Sequence, residues 1–369
     1  MRLAVVISSL GLGGAEAVAC RLAAGWAGRG WRVRVITLAG READFFHLPP
    51  EVERAALGLA GESAHPAQAA ARNLARLGAL RRALAAAAPR VVVSFMDSTN
   101  VLTLLAAAGL GAPVVVTEHT DLRAHAGSLP AAWRLLRRAA YRRAAAVVGV
   151  SRGQARQLAA VAPARLVQAI PNPVEPDCSG PAELELDGPT VLGLGRLAAS
   201  KGFHRLVEAF ARCRQDHPGW RLAILGEGPE RPRLEALGRQ LGLGGALRLP
   251  GAVRRPGPVL AQGEAFALCS DYEAFPVSLV EAMACGLAPV VADYPAGPAE
   301  IFAPEREGLL VPAGRVDALA RALARLMADP ELRRRLGANA AAAARRYSPE
   351  AVLEQWDRLL GPLAAGGRP

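Results

Sequence analysis

LCSDYEAFPVSLVEAMACGLAPVVAD, residues Leu268–Asp293, reads as the end of one strand, a loop, a helix and a second strand. Its strands are AFALCS and APVVAD, short apolar runs; its helix, SLVEAMACG, opens after Pro276. The same rhythm precedes it in the strands TVLGLG, RLAILG and ALRLPG and the helices FHRLVEAFARCRQD and ERPRLEALGRQLG. Beyond it run one long helical stretch, VDALARALARLMADPELRRRLGANAAAAARRY, and an amphipathic helix, PEAVLEQWDRLLGPL.

The first half has the same pattern. RLAVVIS, WRVRVITLA, RVVVSFM, PVVVTEH and AAVVGVS alternate with AEAVACRLAAGWAGRG and PAQAAARNLARLGALRRALAAAA. Near-continuous apolar strands between helices predict buried parallel sheets, and so an α/β fold of two doubly wound domains. A chain of 369 residues is long enough for two cores. Pro171, Pro173, Pro176 and Pro181 in IPNPVEPDCSGP stop any helix and mark the linker. The expected division is 1–175, 176–347, and a terminal helix over 348–369 that packs back toward the first domain. Ligands of open α/β sheets lie beyond the strand C-termini, so two such domains predict a ligand-holding cleft.

The chain carries 43 arginines and a single lysine, Lys201. A basic position that stays lysine among so many arginines suggests a need for a compact ammonium. Lys201 lies in GLGRLAASKGF, where glycines close a strand and a basic residue follows, a corner suited to phosphate. Gly13 and Gly14 stand before the helix that begins near Ala15, a second place where backbone and helix N-terminus could meet an anion. Glu273 and Glu281 lie in the loop and the helix of the opening segment, where a carboxylate can accept from vicinal hydroxyls.

The net charge is +11, and all of it belongs to residues 1–176, with 21 arginines against 10 acids. Such asymmetry points to an anionic partner for that half. Arg134, Arg137, Arg138 and Tyr141 share one side of a helix whose other side carries Trp133, Leu136 and Ala140. Arg72 and Arg76 lie opposite Leu74, Leu77, Leu80 and Leu84. A basic face over an apolar one suits an anionic membrane surface, and no nucleic-acid motif accompanies the charge. Cys20, Cys178, Cys213, Cys269 and Cys285 lack metal-ligand spacing and read as reduced packing thiols of a cytoplasmic protein. The first residues enter a strand directly, without a signal-peptide pattern, and no run approaches the length of a membrane span.

With its flanks, the opening segment resembles the signature of glycosyltransferase family 4, retaining enzymes of the GT-B fold. The shared residues are Ser270, Glu273-Ala274-Phe275 and Glu281 through Gly286. GLGGAE, EHT at 118–120, VSRGQARQL, IPNPV, GRLAASKGF, LAILGEGPERPRLEAL and GLLVPAGRVDALARAL extend the resemblance along nearly the whole chain, in order. It implies two Rossmann-like domains facing a central cleft. Arg196 and Lys201 would meet the donor's diphosphate, Glu281 the ribose, and Glu273 the sugar. Amides around Phe275, Pro276 and Val277 would hold sugar and phosphate, and Gly226 and Gly251 would border the nucleobase. His119 would face the donor sugar, and Asn172 would shape the hinge. No DxD motif is present, so the resemblance implies a nucleotide-sugar substrate with no required metal or cofactor.

The segment GPAEI, Gly297–Ile301, resembles transferases of bacterial exopolysaccharide and lipid-linked oligosaccharide synthesis. That implies a UDP-hexose donor and a glycan or polyprenyl-diphosphate acceptor, with peripheral contact at the inner membrane face. Two other functions fit a fold of this kind. A nucleotide-sugar epimerase would invert and hydrolyse its donor without an acceptor. A non-catalytic binding module would lose the basic pair or the glutamates, and all four are present here.

Overall fold

The computed structural model describes the chain apart from residues 62–65, 120–130, 162–165, 176, 296 and 367–369. Thr120 of the EHT motif and Pro176 of the linker lie outside the described residues. So do the side chains of residues 131–133, Trp133 among them. The chain forms two units, Met1–Pro173 with Pro349–Pro369, and Val174–Ser348.

The first unit holds a seven-stranded parallel sheet. Its strands are β1 (Arg2–Ile7), β2 (Arg32–Thr37), β3 (Glu53–Ala56), β4 (Val91–Phe95), β5 (Val114–Glu118), β6 (Ala146–Gly149) and β7 (Val167–Ala169). Their order is β3-β2-β1-β4-β5-β6-β7. The helices are α1 (Gly14–Gly28), α2 (Pro66–Ala87), α3 (Asp97–Ala106), α4 (Ala131–Tyr141) and α5 (Arg152–Val161). The second unit holds six parallel strands in the order β10-β9-β8-β11-β12-β13. These are β8 (Thr190–Leu194), β9 (Arg221–Leu225), β10 (Leu247–Gly251), β11 (Ala265–Leu268), β12 (Ala288–Asp293) and β13 (Leu309–Pro312). Its helices are α6 (Phe203–Cys213), α7 (Arg231–Gln240), α8 (Pro256–Leu260), α9 (Val277–Ala284), α10 (Val316–Ala328) and α11 (Pro330–Ala344). The last helix, α12 (Pro349–Ala364), returns to the first unit.

Both sheets reverse their winding once, between β1 and β4 and between β8 and β11. Strands on either side of such a reversal send their following loops apart, which opens a crevice at their C-terminal ends. The central strands are buried on both faces, as their runs of valine, leucine and isoleucine require. In the first unit, Trp26 of α1 is fully buried, stacked on Trp31 and edge-on to Trp356 of α12, each with centroids 5.9 Å away. Its indole Nε1 donates to Asp357 Oδ1 at 3.2 Å, so α12 is bound by packing and by a satisfied polar group. In the second unit, α6 and α10 pack together, and α11 lies on α9 and β12.

Four expectations need correcting. The long stretch after residue 315 is two helices, because Pro330 cannot continue α10 and Asp329 caps α11 by accepting from Leu332 N at 2.9 Å. Three short strands, β3, β7 and β13, carry too few alternating apolar residues to stand out, and each lies at a sheet edge. Tyr141 is not on the arginine face of α4; it is fully buried beside Ala140, while Leu135 and Leu136 are exposed. The cysteines are not all thiols. Cys178 and Cys285 form a disulfide with Cα atoms 5.9 Å apart, across a sequence separation of 107 that no spacing rule covers. Cys20, Cys213 and Cys269 are buried thiols, pushed by desolvation up to about 11, 11 and 12.

Candidate functional site

The second unit gathers its predicted residues at the reversal between β8 and β11. β8 is followed by Gly195-Arg196, and a short turn, Ala199–Lys201, leads through Gly202 into α6. Gly202 has φ 65°, and a Cβ there would also collide with the Cys269 carbonyl that follows β11. Only glycine meets both conditions. The two loops are then sewn together. Asp271 N donates to Ser200 O at 2.8 Å, and Arg205 of α6 donates to Cys269 O at 2.8 Å and to Asp271 at 2.6 Å.

This seam brings Lys201 to Glu273. The ammonium and the carboxylate form an ion pair, both largely sequestered, and Ser270 Oγ donates to the same Glu273 oxygen at 2.8 Å. The lysine stem lies over Gly195, with Cε 3.7 Å from the position of an added Cβ. Sequence reading assigned Lys201 to phosphate and Glu273 to sugar; the structure adds that each is the other's partner. A lysine has three N–H donors, so pairing with Glu273 leaves two for an anion. The Arg196 side chain is exposed and makes no hydrogen bond or ion pair among the described residues, while its carbonyl accepts from Ala198 N at 2.8 Å.

Gly226 joins β8 to the neighbouring strand ends. A Cβ on Gly226, at φ 147°, would strike Gly195 O, and Gly226 N donates to Gly251 O at 2.8 Å. Three successive strand ends thus meet backbone to backbone. Arg231 of α7 holds this rim, donating to Glu227 at 2.7 Å and to Leu249 O at 2.9 Å.

α9 starts at Val277, and Glu281 lies one turn in, half-buried. Phe275 and Pro276 are buried, Phe275 edge-on to Tyr347 at 5.5 Å. Their side chains anchor the loop. Proline has no N–H, and Val277 N donates to Phe275 O at 3.0 Å, so the amide trio expected here is not a free set of donors.

The first unit presents its residues separately. Gly13 has φ −166°, open to any residue, and Glu16 folds its carboxylate over the position of a Gly13 side chain. An acid in the first turn already complements the helix N-terminus, which weakens the case for phosphate there. His119 follows β5, stacked on Phe95 with centroids 5.2 Å apart. Its Nε2 lies 3.1 Å from Thr117 Oγ1, and its buried Nδ1 has no partner among the described residues. Burial holds the imidazole down to about 4, so the ring is neutral at physiological pH. Arg76 is used internally, donating to Leu59 O at 2.8 Å and Gly61 O at 2.7 Å; Arg72 is half-buried, while Arg134 and Arg138 are exposed. Asn172 is buried. Ser270, Arg205 and Asp271 complete the Lys201 corner. Ser270 was legible in the signature; the arginine clamp was not, because nothing in the sequence pairs positions 205 and 271.

Among the described residues no group of acids, histidines and cysteines has metal-site geometry, and no helix is long and apolar enough to cross a membrane. Residues 180–343 match the family described as glycosyl transferases group 1, and residues 13–173 match the glycosyl transferase 4-like domain. An N-acetylgalactosaminyltransferase of Campylobacter jejuni, whose name specifies an undecaprenol-diphosphate-linked glycan, is 27% identical over 98% of this chain and 99% of its own. An exopolysaccharide phosphotransferase of Streptomyces coelicolor is 37% identical over 53% of this chain; the match spans 21% of that protein. A lipopolysaccharide core glycosyltransferase of Rhizobium meliloti is 35% identical over 47% of this chain, with half of its own length matched. In fold, the chain resembles sucrose-phosphate synthase from Thermosynechococcus elongatus, with TM-score 0.84, 22% identity and all of both chains covered. Anabaena HepE, solved with UDP, gives TM-score 0.81 at 20% identity over 98% of this chain and 100% of its own. The two family matches between them span most of the chain in the family's order, and the protein belongs to the family 4 glycosyltransferases, with their two-domain GT-B fold.

Proposed function

We propose that the protein is a retaining, metal-independent hexosyltransferase that uses a nucleotide sugar, of the UDP series, to extend a bacterial polysaccharide or lipid-linked glycan. The observation that carries this reading is the Lys201–Glu273 pair at the strand reversal, with Arg196 exposed beside it. In the reaction the bond between the sugar's anomeric carbon and the diphosphate oxygen breaks. The acceptor hydroxyl bonds to that carbon on the same face, and its proton passes to the departing diphosphate. Charge therefore grows on the phosphate oxygens as the bond breaks. Arg196 and Lys201 would neutralise it, an interaction stronger in the transition state than before it. Two cations in that role make a metal ion unnecessary.

Glu273, already oriented by Ser270, would accept from the sugar hydroxyls, and Glu281 from the ribose. Gly226 and Gly251 would border the base, since glycines stand where the three strand ends meet. The neutral His119 would hydrogen-bond the sugar through its Nδ1, which has no partner among the described residues, and its backbone carbonyl would face the positive charge that develops on the sugar. The names of the Campylobacter relative and of the UDP complex favour a UDP-linked donor and a lipid-linked acceptor. Exposed arginines and leucines on α4 support the proposed peripheral contact with the anionic cytoplasmic leaflet.

A panel of UDP-, GDP- and ADP-sugars tests the reading. A donor that binds the folded state raises its melting temperature. The expected result is selective stabilisation by UDP and a UDP-hexose, with turnover that survives excess EDTA. Chelator-sensitive activity restored by magnesium or manganese would remove the metal-independent mechanism. Inversion of the sugar without an acceptor would favour an epimerase.

A further inference from the structure

Glu118 is an acid where the strand pattern calls for an apolar residue. It closes β5 at 3% exposure, on the sheet face shared by the buried Val114 and Val116. A carboxylate in such a place must be hydrogen-bonded or displaced. Tyr141, the last residue of α4, donates its hydroxyl to Glu118. Asn100 of α3 donates from Nδ2 to the Tyr141 oxygen at 3.1 Å and to the Thr117 carbonyl at 3.0 Å. The same carbonyl accepts from Met96 N at 3.0 Å, and Met96 O accepts from Asn100 N at 2.8 Å. Met96 itself has φ 72°, a conformation that an unbranched, bulky residue holds only where its surroundings fix it.

The network therefore ties the ends of β4 and β5 to the start of α3 and the end of α4. His119 is the next residue along. Its ring rests on Phe95, the residue before Met96, and its Nε2 meets Thr117 Oγ1. Among the described residues, the ring's two supports are thus Thr117, whose carbonyl the network holds, and Phe95, which is bonded to the held Met96. A leucine at 118 would fill the same space without recruiting Tyr141 or Asn100, so packing alone does not explain the acid.

We propose that Glu118 is a positioning residue: through Tyr141 and Asn100 it fixes the end of β5 against α3 and α4, and so aims His119. The proposal rests on the reading above that His119 faces the donor. Among the described residues, the groups that face Glu118 are Asn100 and Asp97 from α3 and Tyr141 and Arg137 from α4, and Gly149 of β6 lies opposite. Burial, aided by Asp97, raises the carboxyl to about 7 against the pull of Tyr141 and Arg137. The Tyr141 bond is strengthened by charge only when Glu118 is ionised, which occurs across the neutral range.

The test uses the full chain with Tyr141→Phe, which removes one oxygen and keeps the ring, and Glu118→Gln, which keeps the shape. UDP affinity, UDP release from UDP-N-acetylgalactosamine and UDP-glucose, and hydrogen exchange of the Met96 and Asn100 amides are measured. Both variants should bind UDP as wild type does and lose ~10–100-fold in kcat, as expected when a reacting group is misplaced. Exchange at the two amides in Tyr141→Phe should quicken ~10-fold through local opening. Wild-type kcat should rise through about pH 7, and Glu118→Gln should lose that limb. Unchanged exchange, or a lower melting temperature with kcat per folded molecule intact, would overturn the proposal. A wild type that binds UDP but turns over neither donor would defeat the reading of His119, while exchange would still decide whether the clamp exists.

Discussion

Lys201 and Glu273, 72 residues apart, form an ion pair at the point where the second sheet reverses its winding. The pair explains how a cation and a carboxylate can wait together in a partly sequestered corner. Each offsets the other's desolvation, and Ser270 holds the carboxylate from a third direction. An arriving diphosphate would compete for the ammonium, and an arriving sugar for the carboxylate.

Lys201→Arg should therefore lower turnover by at least ~10-fold, equivalent to ~1.4 kcal/mol of barrier. The charge is kept, but the lysine stem lies over Gly195, where a longer planar head must displace either Glu273 or the loop. Melting temperature should change little. Wild-type kinetics in this variant would remove the special role of the ammonium.

Two buried groups should give the protein opposing pH dependences. Burial raises Glu118 from 4.5 to about 7, so the native state keeps a proton that the unfolded chain has lost. That contribution is full below pH 4.5 and declines as pH rises to about 7. Burial lowers His119 from 6.5 to about 4, so its contribution is full above pH 6.5 and declines as pH falls to about 4. In wild type the two slopes oppose each other over their shared range. Glu118→Gln should leave the histidine slope, with stability rising from about pH 4 to 6.5. His119→Gln should leave the glutamate slope, with stability falling from about pH 4.5 to 7. Each amounts to ~3 kcal/mol at ~1.4 kcal/mol per pKa unit. Urea midpoints across this range check it; parallel curves for the three proteins would refute it.

The disulfide should be a measurable part of the second unit's stability. It ties the segment after Pro173 to Cys285, the residue that ends α9 one turn beyond Glu281. Both cysteines are half-buried, within reach of a reductant, unlike the three buried thiols. Closing a loop of about 100 residues restricts the unfolded chain by up to ~4.7 kcal/mol, and native disulfides commonly contribute ~2–4. Dithiothreitol, or Cys178→Ser, should lower the unfolding midpoint accordingly. A midpoint indifferent to both would show that the bond does not form in solution.

The fold was legible because its signals are local. Runs such as RLAVVIS and TVLGLG are long and apolar, and they become central strands. Edge strands are another matter: ERAA forms β3 because Glu53 meets Arg32 and Arg34 of β2, at 2.8 Å from each Nε, a pairing visible only after the sheet exists. The site divides in the same way. The signature names Lys201 and Glu273 but not their contact. Helical periodicity placed Tyr141 with the arginines; Glu118, 23 residues earlier, draws it inward instead. The Cys178–Cys285 bond likewise depends on two distant segments meeting.

The surface of α4 gives the last prediction. Arg134 and Arg138 are exposed, with Leu135 at 69% and Leu136 at 40% exposure between them. Arg137 is half-buried and acts on Glu118 instead. Exposed leucines among arginines suit insertion at an anionic lipid surface, the arginines at headgroup level and the leucines below. Arg134→Gln with Arg138→Gln should weaken binding to phosphatidylglycerol vesicles by ~30-fold, at ~1 kcal/mol per basic residue, and remove most of its salt sensitivity. Leu135→Ser should weaken binding at every salt concentration. Arg137→Gln should spare vesicle binding and shift the pH profile of turnover instead. Equal sedimentation with phosphatidylglycerol and phosphatidylcholine vesicles would mean that this face is an ordinary solvated one.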